Sequence, residues 1–195
     1  MSNHTKTILV TGGIGVGKSV VCRVLSVMGC DVYDSDRGAR HIMDNSDEIK
    51  RDLVAEFGDK VVVGNVIQRD VLASIVFGDS TKLARLNAIV HPVVLAHIDA
   101  MRRRSQAQLF FVETAIPRSS GLDGMADAIW LVEAPLDVRI PRVMTRSALT
   151  EQQVMARINA QRGEFDTAQY ATVPVATIVN DNRHSVLGQI LDLMQ

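Results

Sequence analysis

A glycine-rich segment near the start of the chain, residues 11–19, constrains the fold more than any other part of the sequence. Its letters are TGGIGVGKS, which contain the pattern GxxxxGKS from Gly12 to Ser19. An apolar run at residues 7–11 precedes it and a helical pattern at residues 18–28 overlaps its end, so it should join a buried strand to a helix. Glycines let backbone N–H groups turn inward around phosphate oxygens, and the helix presents its positive N-terminal end to them. The segment therefore predicts a site for the phosphates of a nucleoside triphosphate.

Two polar side chains at the end of this segment carry the expected chemistry. Lys18 supplies a cation for the β- and γ-phosphates, and Ser19 supplies a hydroxyl ligand for Mg²⁺, which prefers oxygen. GTPases, ATPases and kinases share the pattern, so it predicts nucleotide binding without deciding the reaction. The residues expected to contact the nucleotide here are Gly13, Ile14, Gly15, Val16, Gly17, Lys18, Ser19 and Val20.

Short apolar runs alternate with helical patterns along the whole chain, which predicts an α/β fold with a five-stranded parallel sheet and helices on both faces. With the glycine-rich segment, this is the P-loop NTPase fold. Residues 135–146 form a helical pattern that contains Pro141, so either a second helix starts there or the helix is kinked. Pro92 is expected in the first turn of a helix that follows a separate one. The predicted strands are 7–11, 30–33, 109–112, 128–132 and 175–179; the other predicted helices are 18–28, 36–44, 47–57, 70–77, 81–90, 93–104, 150–160 and 185–194.

Charge and hydropathy exclude several classes of function. The net charge of −1 and the pI of about 6.5 lack the basic footprint of a nucleic-acid-binding protein. The polar start, residues 1–6, lacks the apolar stretch of a secretory leader, and no run approaches the roughly 20 apolar residues of a membrane span. Cys22 and Cys30 have no metal-binding spacing and are expected as small apolar residues in a reducing compartment. A cytoplasmic protein is expected.

Acidic residues follow two of the predicted strands. Asp34 and Asp36 come after the second strand, and Glu113 comes directly after the third. Because ligands of open α/β sheets bind beyond the carboxyl ends of the strands, Asp34 and Asp36 should point toward the γ-phosphate. A carboxylate there can accept the proton of an attacking hydroxyl or help to hold the metal ion, although Asp36 can also cap the next helix. For Glu113, a role at the water shell of the metal and a bond to neighbouring backbone both stay open.

Further stretches make this chain resemble the dephospho-CoA kinase family. Residues 32–36, VYDSD, followed by Ala39 and Arg40, match its V-x-D-x-D-x-x-A-R segment. Residues 67–77 and 86–92, the latter LNAIVHP, are similar to its R-x-x-L…F…LN-x-x-x-HP stretch. Residues 142–146, RVMTR, resemble its R-x-x-x-R segment ahead of the lid. The resemblance spans most of the chain, and the D-x-D and HP stretches are more specific than the glycine-rich loop.

This resemblance implies a reaction in which ATP, with Mg²⁺, phosphorylates the ribose 3′-hydroxyl of dephospho-CoA to give coenzyme A and ADP. It implies that Asp36 is the carboxylate near that hydroxyl and that Lys18 and Arg142 also take part in catalysis. Arg142 and Asn180 would belong to the ATP site. The residues on the acceptor side would be Asp34, Asp36, Arg40, Arg69 and His91.

The same resemblance implies one kinase domain over residues 1–195, with a helical acceptor-binding region at about 36–104 and a lid at about 147–172. ATP and dephospho-CoA would be the only partners, without nucleic acid or membrane. The sequence does not decide the oligomeric state, and a monomer is favoured.

The chain departs from the family pattern in several places. Val20 replaces a hydroxyl residue, Ser147 replaces an Asp, and residues 115–118, AIPR, replace a P-L-L-F-E-like run. The family carries a basic R-x-x-R motif in the lid, whereas Arg162 is the only Lys or Arg between residues 158 and 182 of this chain. Arg142 is therefore expected to contribute more to turnover than Arg162.

Three alternatives stay open. A P-loop kinase for another nucleotide-like acceptor fits the same motifs, and so does a nucleotide-binding relative that has lost turnover. A switch GTPase is disfavoured, because the sequence has no N-K-x-D guanine motif and no D-x-x-G after a strand in the right register.

Overall fold

The structure, a computed structural model, describes residues 5–170 and 172–195. The first four residues of the polar start and residue 171 of the expected lid lie outside these ranges. The chain forms two compact units. The first unit comprises the chain up to Asp34 and from Arg102 onward, and the second is Ser35–Met101. Among the described residues, no helix combines the length and apolar character needed to cross a membrane.

The first unit is built on a five-stranded sheet with the order β2-β5-β1-β6-β7, in which every neighbouring pair is parallel. The predicted α/β fold with a five-stranded parallel sheet is therefore confirmed. Since β1 lies in the middle, the loop that follows it emerges at the centre of the carboxyl edge of the sheet. The strands are β1 (Lys6–Thr11), β2 (Asp31–Asp34), β5 (Leu109–Glu113), β6 (Ala128–Glu133) and β7 (Val175–Val179).

The middle strands are apolar on both faces, as parallel strands covered on both sides require. Leu9 of β1, Phe111 of β5 and Ile129 of β6 are fully buried. The rings of Phe111 and Trp130 pack with centroids 5.1 Å apart. One core cluster joins this sheet to the two helices α1 (Lys18–Val27) and α8 (Val186–Leu193). This rigid support fixes the position of the loop between β1 and α1.

The remaining helices follow the predicted pattern closely. In the first unit they are α6 (Leu136–Ser147) and α7 (Glu151–Ala160), with short 3-10 helices at Leu122–Met125, Arg162–Phe165 and Thr167–Tyr170. The predicted capping box of α7 is present, because Thr150 accepts a hydrogen bond from the N–H of Gln153 and Gln153 reaches back to the N–H of Thr150.

The second unit contains the helices α2 (Ser35–Asn45), α3 (Asp47–Phe57) and α4 (Arg69–Val76), a 3-10 turn at Asp59–Val61 and most of α5 (Ser80–Arg104). It also contains an antiparallel hairpin that the sequence analysis did not predict, β3 (Val62–Val63) with β4 (Val66–Ile67). Gly64 and Asn65 both have positive φ, 56° and 65°, which suits a two-residue hairpin turn. Each strand is only two residues long, too short for a periodic signal.

Two prolines lie inside continuous helices, which corrects the sequence prediction at Pro92 and rules out one of the two alternatives left open at Pro141. The separate helices expected on either side of Pro92 are one helix, α5, and Pro141 does not start a second helix but lies within α6. The carbonyls left without an N–H partner belong to Ala88 and Asp137, four residues earlier. Both of these residues are exposed, as are the two prolines, so water can bond the carbonyls. In α5 the buried side chains of Val90, Val94 and Ile98 continue with helical spacing past the proline.

We expect Pro92→Ala to raise the free energy of unfolding by roughly 1–3 kcal/mol. Proline costs about 3 kcal/mol relative to alanine inside a helix, and part of the gain is lost because proline also restricts the unfolded chain. Urea unfolding followed by circular dichroism measures this change. Pro174→Ala is the control, since Pro174 is exposed and lies just before β7, outside any helix, and its replacement should not stabilise the protein. A loss of stability in Pro92→Ala would mean that α5 is broken at Pro92 in solution.

Candidate active site

The loop between β1 and α1 has a backbone that only glycine can adopt at two positions. Gly12 has φ 146° and Gly17, which caps α1, has φ 90°. A Cβ on Gly12 would lie 2.3 Å from the carbonyl oxygen of Val132, and a Cβ on Gly17 would lie 2.2 Å from Nδ2 of Asn180. Glycine is therefore needed at both positions, because the backbone has positive φ there and because a side chain would collide with neighbouring atoms.

Lys18 lies folded back over the loop, with Nζ donating to the carbonyl oxygen of Gly12 at 2.7 Å. Ser19 lies in the first turn of α1, where the helix presents its N-terminal N–H groups. Both side chains thus stand at the part of the loop where a triphosphate would be bound.

Three side chains from distant segments hold the loop. Nδ2 of Asn180, just after β7, donates to the carbonyl oxygen of Val16 at 2.8 Å and is buried. Nε of Arg139 on α6 donates to the carbonyl oxygen of Ile14 at 2.9 Å. The N–H of Ile14 donates to Oε1 of Gln161, just after α7, at 2.8 Å. Both backbone groups of Ile14 are therefore tied down by side chains more than 120 residues away.

Arg142 joins the loop to the segment after β7. Its Nη1 donates to the carbonyl oxygen of Asn180 at 3.1 Å and approaches that of Gly15 at 3.4 Å, and its Nη2 donates to Oδ1 of Asn182 at 2.6 Å. The structure thus brings together the loop, Arg142 and Asn180, which the sequence analysis assigned to one nucleotide site. These contacts are with carbonyl and amide oxygens, and the role predicted for Arg142 in catalysis stays a prediction.

Two carboxylates and a thiol lie beside the loop. Asp34 and Glu113, the last residues of β2 and β5, are register partners on neighbouring strands. Burial raises the pKa of the Cys22 thiol far above its ordinary value, and the hydrogen-bonded Glu113 and nearby Asp34 raise it further, against a smaller opposite effect of Lys18. Cys22 on α1 is therefore close enough to Glu113, Asp34 and Lys18 for their charges to affect it. The strand-end position predicted for Asp34 and Glu113 is what creates this arrangement.

The second unit contains the other residues predicted for the acceptor side. Asp36 and Arg40 are exposed and lie one turn apart on α2. Nη2 of Arg69 approaches the carbonyl oxygen of Arg40 at 3.4 Å and pairs with Asp44 at 2.8 Å, so the structure brings Arg40 and Arg69 together. His91 on α5 is half-buried, and burial lowers its pKa from 6.5, which favours the neutral imidazole at neutral pH.

A cavity of about 530 Å³ adjoins the loop in the first unit. Its walls come from the loop, the ends of β6 and β7, the helices α6 and α7, and the 3-10 helix Arg162–Phe165. Six of the residues that line it are Gly13, Val132, Arg139, Met155, Arg162 and Phe165. Two arginines therefore face a space next to the phosphate-binding backbone.

Residues 163 and 164, in the segment expected to form the lid, are bonded to the turn that follows β5, where residues 115–118 also depart from the family pattern. Glu164 accepts hydrogen bonds from the N–H groups of Arg118 and Ser119 at 3.0 and 3.2 Å and from the Ser119 hydroxyl. Nη1 of Arg118 donates to the carbonyl oxygen of Gly163 at 2.9 Å, and the Tyr170 hydroxyl donates to that of Glu164. Where the family has its basic motif, the expected lid segment of this chain carries Glu164, which bonds it to residues 118–119.

The sequence analysis missed the roles of Arg139, Gln161, Glu164 and Arg118. Arg139 is three residues before Arg142 on one helix, so helical spacing alone places both on one side of α6, a signal that was available. Nothing in the sequence pairs Glu164 with Arg118, because they are 46 residues apart.

Comparisons with known proteins agree with one another. A sequence model of the family described as dephospho-CoA kinase matches residues 6–185. Dephospho-CoA kinase from Bacteroides fragilis is 33% identical over 186 residues, covering 95% of this chain and 89% of that protein. Dephospho-CoA kinase from Thermus thermophilus is 37% identical over 171 residues, covering 88% of this chain and 82% of that protein.

Solved structures give the same picture. A crystal structure of a Thermus thermophilus protein has a TM-score of 0.83 at 33% identity, covering 98% of this chain and 96% of that one. Shikimate kinase from Acinetobacter baumannii has a TM-score of 0.52 at 13% identity, covering 98% of this chain and 94% of that one, and so supports the fold alone.

We expect Asn180→Asp to weaken ATP binding about tenfold and to lower the free energy of unfolding by roughly 1–3 kcal/mol. The change replaces the Nδ2 donor with an oxygen that faces the carbonyl oxygen of Val16 in a buried place. Isothermal titration with ATP and Mg²⁺, in the absence of acceptor, measures the affinity.

Asn182→Asp is the matched control, because the oxygen that accepts from Arg142 is retained and residue 182, with φ 67°, has a conformation that Asp tolerates. ATP affinity should stay within about threefold of that of the unchanged protein. Equal weakening in both variants would mean that the bond to Val16 does not hold the loop.

Proposed function

The chain belongs to the dephospho-CoA kinase family, and we propose that its phosphate-binding loop and the acids at the ends of β2 and β5 transfer the γ-phosphate of ATP to dephospho-CoA. The acceptor atom is the ribose 3′-hydroxyl, and the products are coenzyme A and ADP. The observation that carries this proposal is that Lys18 and Ser19 begin the helix after the central strand β1, while Asp34 and Glu113 are register partners at the same carboxyl edge of the sheet. A loop for phosphates beside paired carboxylates suits phosphoryl transfer, which depends mostly on positioning and charge.

In this proposal the loop binds ATP through its backbone N–H groups, and Lys18 leaves the carbonyl oxygen of Gly12 for the β- and γ-phosphates. Arg142 and Asn180 support the same site, since both bond to backbone carbonyls of the loop. Val20, in the first turn of α1, lies at the position expected to face the α-phosphate. A loop already held by these bonds spends less binding energy on becoming ordered.

The donor set also fits Mg²⁺. Ser19 offers a hydroxyl and the paired Asp34 and Glu113 offer carboxylates, all hard oxygen ligands. No group of three or more His, Cys, Asp or Glu among the described residues forms a metal cage. That agrees with a metal that keeps several waters and is held by one or two carboxylates and the substrate phosphates. When bound, Mg²⁺ neutralises charge on the phosphates.

Asp36 is the proposed general base, and Arg40, Arg69 and His91 are proposed to bind the acceptor. Asp36 lies in the first turn of α2, two residues after the end of β2, and is exposed, so its carboxylate is accessible to a substrate hydroxyl. Arg40 is exposed and offers positive charge for a phosphate-bearing acceptor, and Arg69, which contacts the backbone carbonyl of Arg40, would leave its ion pair with Asp44 to do the same. We also propose the division expected from the sequence, in which one kinase domain binds ATP, residues at about 36–104 bind the acceptor and residues at about 147–172 form the lid. The cytoplasmic location and the monomeric state expected from the sequence stay predictions.

We expect dephospho-CoA to be a far better acceptor than adenosine or AMP in kcat/KM, because contacts with remote parts of the substrate help to position the reacting hydroxyl. A coupled assay for ADP release with ATP, Mg²⁺ and each acceptor measures this. Equal efficiency with adenosine would assign the protein to another class of nucleotide-like acceptor, and ATP binding without ADP release would indicate a relative without turnover.

Asp36→Asn should lower kcat roughly 10²–10⁴-fold and leave ATP affinity nearly unchanged, since a positioned general base contributes about that factor. Asp34→Asn, measured beside it, separates the two acids: a much larger loss there would make Asp34 the base. Asp47→Asn is the control for a capping role, because Asp47 is the exposed first-turn acid of the next helix, α3. Its kcat should stay within about threefold of that of the unchanged enzyme.

A further inference from the structure

The reaction requires more positive charge at the γ-phosphate than the lid of this chain supplies. The phosphoryl group in transfer carries negative charge on its oxygens, and kinases commonly bring cations to it when a lid closes. In this lid Glu164 is bonded to Arg118 and Ser119, and Arg162 is the only Lys or Arg between residues 158 and 182, where the family has its basic motif. A cation from another element is therefore needed on the side of the loop that faces the lid.

Arg139 has the position that such a cation requires. Its Nε donates to the carbonyl oxygen of Ile14, and its guanidinium lines the 530 Å³ cavity with Arg162 and Phe165 of the lid. Lys18 donates to the carbonyl oxygen of Gly12, only two residues from Ile14. Two cations are thus held on nearby carbonyls in the first half of the loop, and one of them is the lysine that contacts the β- and γ-phosphates.

The glycine at position 13 gives a second, independent observation. The GxxxxGKS pattern allows any residue there, and Gly13 does not have the positive φ of Gly12, Gly15 and Gly17. A Cβ at this position would instead lie 2.4 Å from Nη2 of Arg139 and 3.2 Å from its Cζ. Gly13 therefore leaves the space in which the guanidinium lies against the loop.

We propose that Arg139 is a catalytic residue, an arginine supplied by α6 that contacts the γ-phosphoryl group during transfer in place of the basic residues missing from the lid. Of the five N–H donors of a guanidinium, the one on Nε is bonded to Ile14, and the forked end lies at Gly13 beside the cavity. Burial lowers the pKa of Arg139, and the nearby Glu133 opposes that shift, but an arginine stays charged at neutral pH. This proposal rests on the phosphoryl transfer proposed above.

The test compares Arg139→Gln, Arg139→Lys and Arg162→Gln with Arg23→Gln, an exposed arginine on α1 that serves as the control. In single-turnover experiments with ATP and dephospho-CoA, Arg139→Gln should lose roughly 10³-fold in rate, as when an arginine that meets a transferred phosphoryl group is removed. Arg139→Lys should recover part of the rate, and Arg162→Gln should lose much less. ADP affinity should fall by no more than about threefold in Arg139→Gln, since Gln161 and Asn180 still hold the loop that binds the β-phosphate.

A second readout does not depend on turnover. ADP with aluminium fluoride imitates the phosphoryl group in transfer, and it should bind tightly to the unchanged enzyme and weakly to Arg139→Gln, while the affinity for ADP alone differs by no more than about threefold. Equal weakening of both ligands, together with a lower Tm, would make Arg139 only a structural support of the loop and would overturn the proposal. A rate within threefold of that of the unchanged enzyme would also overturn it.

The contact between Gly13 and Arg139 allows a double-mutant cycle. Gly13→Ala should displace the guanidinium and lower the rate when Arg139 is present. In the Arg139→Gln background it should lower the rate little further. Additive losses would contradict the proposed geometry. Failure of the unchanged enzyme to use dephospho-CoA would refute the acceptor instead, because the binding of ADP with aluminium fluoride tests Arg139 without an acceptor.

Discussion

The loop between β1 and α1 is confined to one backbone conformation by close contacts at its glycines, and hydrogen bonds from the rest of the first unit hold it there. A Cβ on Gly12 would collide with the carbonyl of Val132, and one on Gly17 would collide with Asn180. Side chains from α6, from the end of α7 and from the end of β7 then bond the loop at Ile14 and Val16. Backbone N–H groups can therefore point at phosphate oxygens without first becoming ordered, which preserves binding energy for catalysis.

Much of the fold could be predicted from the sequence because its signals are local. Five apolar runs separated by helical patterns gave the parallel sheet, and Thr150 with Gln153 gave the start of α7. The errors have physical causes. Pro92 does not separate two helices, and at Pro141, where the sequence left a new helix or a kink open, no second helix starts, because the carbonyls that both prolines leave unpaired face water. The hairpin of β3 and β4 has strands too short to show a period.

The candidate site was predictable where a motif fixes it and not where tertiary contacts create it. The motif identified Lys18 and Ser19, and the position at a strand end identified Asp34 and Glu113. Gln161 and Glu164 could not be found, because their partners are brought close only by the folded chain. The sequence lacks the family's basic motif in the expected lid. In the structure, a different set of hydrogen bonds holds residues 163 and 164 to the turn after β5.

The thiol of Cys22 has a consequence for how the enzyme withstands oxidants. Oxidation of a cysteine close to a nucleotide site would damage the site, because it adds oxygen atoms and charge there. Only the thiolate reacts readily, and burial together with Glu113 and Asp34 raises the pKa of Cys22 so far that almost no thiolate exists at neutral pH. Burial, which has the largest effect, and the carboxylates of Glu113 and Asp34 thus together keep this sulfur unreactive, so peroxide concentrations that inactivate enzymes with exposed thiolates should leave Cys22 unoxidised.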